Sequence, residues 1–494
     1  MSVMARMMSA VCWTALYFGM GSGLAVAADK KPIPLDVGPH LFVDDYLIEQ
    51  SIHLARTTHQ PEKLPRPILS KAEPWHQQPL YFQKVLHDPR TSKFRMWYNV
   101  KNPGVKPSVC FCYAESDDAV HWTRPNLGLV SVNGSKRNNV IDAPFGHFGL
   151  FFVDEGDNCR EPARRYKMAY YNAGRRGTGL HVAFSADGFR FKPYSGNPVI
   201  QGDAGKRFAS GYANVIGDVI DGCWNPLTGQ YLLGCKITEG GYPGKPHWLP
   251  EGWRRTVGMT VSKDFITWRR PWQIILPDPA NGMEEFYGFQ PLIRGTLYLG
   301  LLRVLRDDLP ADPGGPVEGI GWTELISSRD GKNWTRYQDR LIDRNPAPGS
   351  WDHAMAWAGN LLAVGDKDYL YFCGYSAGHK VGDRQNGLAI LRKNGFVSRD
   401  ADNKEGVLRT PLVVIHGHRI TVNACVRGEM RLRLLDPLGR PIPGFDLQDC
   451  SPVQGDSVSL PLRWRGSLAT LKNMPVRMEF HLQNTQLYGF DVLE

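Results

Sequence analysis

The chain has almost no stretch with the 3.6-residue periodicity of an amphipathic helix, which excludes a mainly helical architecture over its 494 residues. Cysteine is scarce as well. There are nine, Cys12 among them in the N-terminal leader, too few for a disulfide framework in a chain able to bury a large core. An oxidising compartment would permit Cys425 with Cys450 or Cys223 with Cys235, and buried free thiols are the equal alternative. No Cys-x-x-Cys or His-x-x-x-His spacing occurs, so no metal site is expected from it. Beyond the leader no apolar run approaches membrane-spanning length, so stable membrane insertion is not expected. Lys and Arg outnumber Asp and Glu by 58 to 49 but are scattered, which argues against nucleic acid. A net charge of +9 on an exported protein suits an acidic polysaccharide better.

What is present is turn chemistry and β-formers, with 52 Gly, 36 Pro and 11% aromatic residues. Residues 1–27 combine an early Arg6, an apolar middle and Ala25-Val26-Ala27, the pattern of a cleaved secretory signal, so an exported protein, periplasmic or extracellular, is expected. One stretch then recurs four times: an apolar strand, Ser-x-Asp, and an aromatic four places on. The copies are Ser116/Asp118/Trp122, Ser185/Asp187/Phe191, Ser262/Asp264/Trp268 and Ser328/Asp330/Trp334, spaced about 70 residues apart. Asp in such a position accepts backbone N–H groups and forms a hairpin, so these carboxylates are turn-formers rather than catalysts.

Each repeat carries an earlier hairpin, at Asp88-Pro89, Glu161-Pro162 and Asn225-Pro226 in the first three. A fourth unit runs through Trp334, and a fifth ends at Asn394-Gly395. Five sheets of at least four strands, stacked radially, predict a five-bladed β-propeller over residues 38–410. Repeats longer than a minimal blade of about 40 to 45 residues leave insertions to build pockets over the axis. Residues 411–494 read as about seven short strands of a β-sandwich.

In a propeller the first strand of each blade lines the axis. Polar residues there are Tyr81, Gln83, His147, Asp154, Asn214, Asp218, Glu284, Glu285, Tyr287, Gln290, Trp351, Asp352 and His353, joined by Asp44 or Asp45 from the leading strand. Two carboxyl groups held in different environments are what glycosidic cleavage needs, one to protonate the leaving oxygen and one to attack or to activate water. Aromatics stack on sugars while Arg, His and Gln bond hydroxyls, which adds Arg56 and His59.

Through LFVDDYLIEQ, LARTTHQPEK, RMWY, YKMAYY, GDVIDGCWNP, EEFYGFQPLIRGTLYLGLL, GSWDHAMAW and LRKNGFVS, the chain resembles exported bacterial proteins described as similar to glycoside hydrolase family 32. That five-bladed class also holds family 43 arabinanases and xylosidases. The resemblance implies a hydrolase of plant or algal glycans with Asp45 or Asp44 as nucleophile or base, Asp218 as stabiliser and Glu285 as acid. Asp44, Arg56, His59, Tyr287, Gln290, Trp351, Asp352 and His353 would then bind an oligo- or polysaccharide. The family's Asn-Asp-Pro-Asn-Gly, Arg-Asp-Pro and Glu-Cys-Pro patterns are missing. No cofactor is implied, and a structural calcium on the axis stays open. The alternatives are a glycan-binding propeller without catalysis, a phosphorylase using His and Arg, and a sialidase, for which the required Arg cluster is not found.

Overall fold

Runs of alternating apolar residues broken by Pro, Gly and Asp turns can satisfy their backbone only by pairing, and the chain is built almost wholly of antiparallel strands. The computed structural model describes residues 31–70, 78–102, 108–144, 147–174, 177–202 and 216–494, without the side chains of residues 78 and 80–82. The leader at 1–27, Asn214 and the Tyr81 side chain therefore lie outside the described residues.

Five sheet units follow in chain order, the fourth and fifth joined by one parallel pair, Gly321 with Met355, into a single eight-stranded sheet. The first comprises Gln78–Asp88, Lys93–Lys101 and Val109–Ser116. In the second, Phe148–Asp154, Tyr166–Asn172 and Gly179–Ser185 are edged by two short strands. The third holds Ile220–Asn225, Gln230–Gly240, Trp253–Ser262 and Trp272–Ile275. The fourth holds Glu285–Arg294, Leu297–Arg306, Ile320–Ser328 and Trp334–Ile342. The fifth holds Met355–Val364, Lys367–Tyr375 and Arg384–Arg392. Its outer strand is not supplied by the residues after Asn394. It is Glu62–Lys63, brought from the N-terminal side to pair with Ala389 and Ile390.

The repeated turns are built as their chemistry dictates. One oxygen of Asp264 accepts the N–H groups of Ile266 (2.9 Å) and Thr267 (2.6 Å) and the Ser262 hydroxyl (3.0 Å). The same pattern recurs at Asp118, Asp187 and Asp330. Two backbone N–H groups hold the Asp330 carboxyl down to about 2.

Each sheet packs against two others through an apolar seam. Trp97 and Tyr113 of the first meet Phe152 and Met168 of the second. Phe151 of the second meets Leu233 of the third, and Leu232 and Met259 of the third meet Phe286 and Phe289 of the fourth. Leu301 of the fourth meets Phe372 of the fifth, and Tyr371 of the fifth meets Met96 and Tyr98 of the first. The first strands of the sheets approach one another in the same cyclic order. Two glycines permit this closeness: a Cβ on Gly222 would stand 2.7 Å from the Phe151 ring, and one on Gly234 would stand 2.6 Å from Phe289.

The last eighty residues depart from the expected pattern of many short strands. Arg419–Leu435 and Arg477–Leu493 are two long, bulged partners of 17 residues each, flanked by Val453–Pro461. Strands from the N-terminal side, Gly38–Leu41, Gln50–Ile52 and Ala55–Thr58, join the same sheet. The segment expected to lead onto the axis thus belongs here, because Phe42 and Leu47 sink into this second core. All eight described cysteines are free, so neither Cys425–Cys450 nor Cys223–Cys235 is bridged.

Replacing Asp264 with Ala leaves two turn N–H groups without their acceptor and is expected to lower stability by about 1–3 kcal/mol. Denaturant unfolding checks this, and ligand binding should be unchanged.

Candidate active site

Successive residues of extended chain face opposite ways, and Glu284, just ahead of the strand, and Glu285, its first residue, are separated by that rule. Glu284 turns to Arg336, which holds it through two bonds of 2.6 and 2.7 Å and also grips Glu324 at 2.6 Å. Glu285 turns to the opposite side and is wholly buried. It accepts the Arg255 backbone N–H at 2.9 Å and the Arg255 guanidinium. The same guanidinium lies 3.4 Å from Asp307, also fully buried.

Burial pushes the Glu285 carboxyl up to about 7, Arg255 opposes the shift, and the charge and hydrogen bond of Asp307 reinforce it. Asp307 is further fixed by the backbone N–H groups of His247 (3.3 Å) and Trp248 (3.4 Å), which lie in the connection between the second and third strands of the third sheet.

Asp218 lies two residues ahead of the first strand of the third sheet. Its side chain is 36% exposed and ion-paired with the buried Lys236. The Lys236 ammonium sits 4.5 Å over the ring of Tyr287, which stacks on Trp357 at 4.7 Å and meets the edge of His379 at 4.8 Å. Arg255 feels the charge of Asp218 as well as those of Glu285 and Asp307. Trp248, 40% exposed, stands above His379, with the Lys380 ammonium 4.3 Å from its ring.

Deeper between the first strands, Asp221 pairs with Arg303 at 2.7 Å, both buried. Burial raises the Asp221 carboxyl to about 6 against the pull of Arg303 and Lys84. Gln290 donates to the Gly222 carbonyl at 2.9 Å and so ties the third sheet to the fourth, and Gln83 accepts from Asn386. These groups hold strands together.

Asp218, Glu285 and Tyr287 are therefore brought together, and the other candidates are not. Asp44 pairs with Arg329 at 2.7 Å, and Asp45, 76% exposed, pairs with Arg399. Arg56 bonds Asp339 at 2.8 Å, and His59 bonds Ser398 at 2.6 Å within the second sheet system. Trp351 lies flat on Phe372, where Gly374 and Gly387 leave room for its ring. Asp352 pairs with Lys63 and His353 with Asp312, because these residues form a turn ahead of their strand rather than its first positions. Asp154 is clamped by Arg165, and His147 stacks on Tyr170 at 5.1 Å. Arg255, Asp307, Lys236, Trp248, Trp357 and His379 were not anticipated. Of these only Trp357 lies on a first strand, so a search of first strands for polar groups passes over the rest.

Among the described residues no group of three or more His, Cys, Asp or Glu is placed to hold a metal ion. No known family model matches the sequence, and no curated protein matches it. In chain path the protein is similar to glycoside hydrolases of the family 32, 43 and 130 types at low identity. One solved glycoside hydrolase is 16% identical, with a TM-score of 0.45 over 67% of this chain and 91% of that one. A structure from the family 130 mannoside phosphorylases, described as containing hydrolases that target β-1,2 mannosidic linkages in Candida mannan, is 14% identical, with a TM-score of 0.44 over 68% and 94%. The Bombyx mori family 32 β-fructofuranosidase is 11% identical, with a TM-score of 0.41 over 87% and 94%. Nothing about chemistry follows from likeness at this level.

Glu285 has a folded value of about 7 against an ordinary 4.5, so the folded protein holds the extra proton and the group's contribution to stability is lost as pH rises between them. Glu285→Gln is expected to flatten the decline of melting temperature over that interval. Thermal unfolding at several pH values measures it.

Proposed function

We propose that the five sheets close into a five-bladed propeller followed by a β-sandwich, and that the protein is an exported glycoside hydrolase working where the third and fourth sheets meet. The cyclic order of seams and first strands supports the closure. The observation that carries the function is the fully buried Glu285 carboxyl, held by Arg255 and pushed up to about 7, in the same cluster as the more exposed, ion-paired Asp218. Two carboxyl groups in unlike environments are the working parts of glycosidic cleavage.

In this reading Glu285 protonates the leaving oxygen, and Asp218, paired with Lys236, serves as base or nucleophile on the opposite side of the bond. Arg255 and Asp307 set the proton on Glu285. Substrate reaches it once the connection bearing His247 and Trp248 leaves Asp307, since that connection lies over the acid pair. Asp45 has no part in the site.

The complete burial of Glu285 favours a second reading, a propeller that holds glycan without cleaving it. A polysaccharide panel assayed for new reducing ends decides between them. Asp218→Asn and Glu285→Gln should each lower turnover by about 10²–10⁴-fold with near-native unfolding temperatures. Glycan binding with no release of reducing ends by the unmodified chain would establish the second reading.

A further inference from the structure

Two buried groups of the fifth sheet hold polar atoms that no other described residue answers. His379, in the connection between the second and third strands, is 1% exposed, and neither Nδ1 nor Nε2 has a hydrogen-bond partner among the described residues. Tyr375, the last residue of the second strand, is fully buried with its hydroxyl equally unanswered. Both rings border Trp357, with centroids 6.1 and 5.4 Å from it. Each such atom costs stability, and folded proteins rarely keep them without a use.

Contacts place His379 at the acid pair. A Cβ on Gly319 would stand 3.0 Å from the Asp307 Cα and 3.4 Å from the His379 Cβ, so the two residues flank one glycine. Tyr287, two positions on from Glu285, meets the imidazole at 4.8 Å. Trp248, 40% exposed, closes the wall at 6.4 Å. Its connection reaches Asp307 through N–H contacts of 3.3 and 3.4 Å, at the long end of hydrogen bonding.

The unanswered atoms suit one chemistry. Burial holds the imidazole well below its usual value, so it is neutral, with one nitrogen donating and the other accepting. The phenol does both. A cation would use the acceptors alone and an anion the donors alone. Alcohol hydroxyls use both, and the flat faces of Tyr287, Trp357 and Trp248 suit the C–H faces of a sugar.

We propose that His379 and Tyr375 form a subsite for the ring hydroxyls of a sugar, entered where Trp248 lifts from His379. The proposal takes the glycan from the reading of the neighbouring acids and does not depend on whether the bond is cleaved.

The test is equilibrium binding to the full chain by calorimetry, with manno-, xylo-, fructo- and galacturono-oligosaccharides as probes and reducing-end release from each measured separately. At least one should bind, with a change in tryptophan emission that Trp248→Phe removes. His379→Phe should weaken that binding at least about tenfold while keeping or raising the melting temperature, the reverse of what a merely structural histidine would do. His379→Gln, which retains a donor and an acceptor, should recover part of the affinity. Tyr375→Phe deletes one oxygen, should weaken binding several-fold, and covers the case in which the first variant does not fold. Affinity lost in these variants upholds the subsite even where no probe is cleaved, so failure of the hydrolase reading is told apart from failure of the subsite. Affinity unchanged in His379→Phe and Tyr375→Phe, affinity lost only together with the melting temperature, or no binding by any probe would overturn it, and cleavage that persists in both variants would leave the hydrolase reading standing alone.

Discussion

One guanidinium buried between two carboxyl groups governs the geometry around it, because neither acid could stay at zero exposure without the positive charge of Arg255. The balance is incomplete, two acids against one cation, and it is settled by keeping a proton on Glu285. That proton gives the site a donor near neutrality. The same arrangement fixes backbone: Arg255 offers its own N–H to Glu285, and Asp307 collects the N–H groups of His247 and Trp248. Strands of the third and fourth sheets and the connection above them are thus positioned by one charge cluster.

The N-terminal segment performs a different task from the one its two adjacent aspartates suggest. It pairs with the long C-terminal strands, clasps the fourth sheet through Asp44 with Arg329 and Arg56 with Asp339, and completes the fifth sheet with Glu62–Lys63. Chain ends far apart in sequence are stitched by it into one body. The carboxylates in LFVDDYLIEQ are surface and seam charges that fix how the two sheet systems meet.

The all-β character and the succession of antiparallel strand units were legible because period-2 alternation and Ser-x-Asp turns are local signals, and each turn folds on its own atoms. The fifth outer strand was not, since Asn394-Gly395 gives no sign that the next residues leave for another sheet. Neither was the length of the C-terminal strands, because register shifts at Asn423/Ala424 and across Gly428 hide their continuity. At the site, alternation alone separates Glu284 from Glu285, but which one is buried depends on Arg255 and Arg336, partners 30 and 52 residues away. Arg255 sits near the start of a third strand and Asp307 just past the end of a second, and neither position is marked in the sequence.

The central claim is a carboxyl that keeps its proton near neutrality beside Arg255. Infrared difference spectra across a pH series, compared between the full chain and Glu285→Gln, observe that proton through the C=O stretch of a protonated acid. The account requires a band that is absent in the variant and disappears with a midpoint of about 7. Identical spectra for the two proteins, or a carboxyl fully ionised above pH ~5 like an ordinary glutamate, would contradict it.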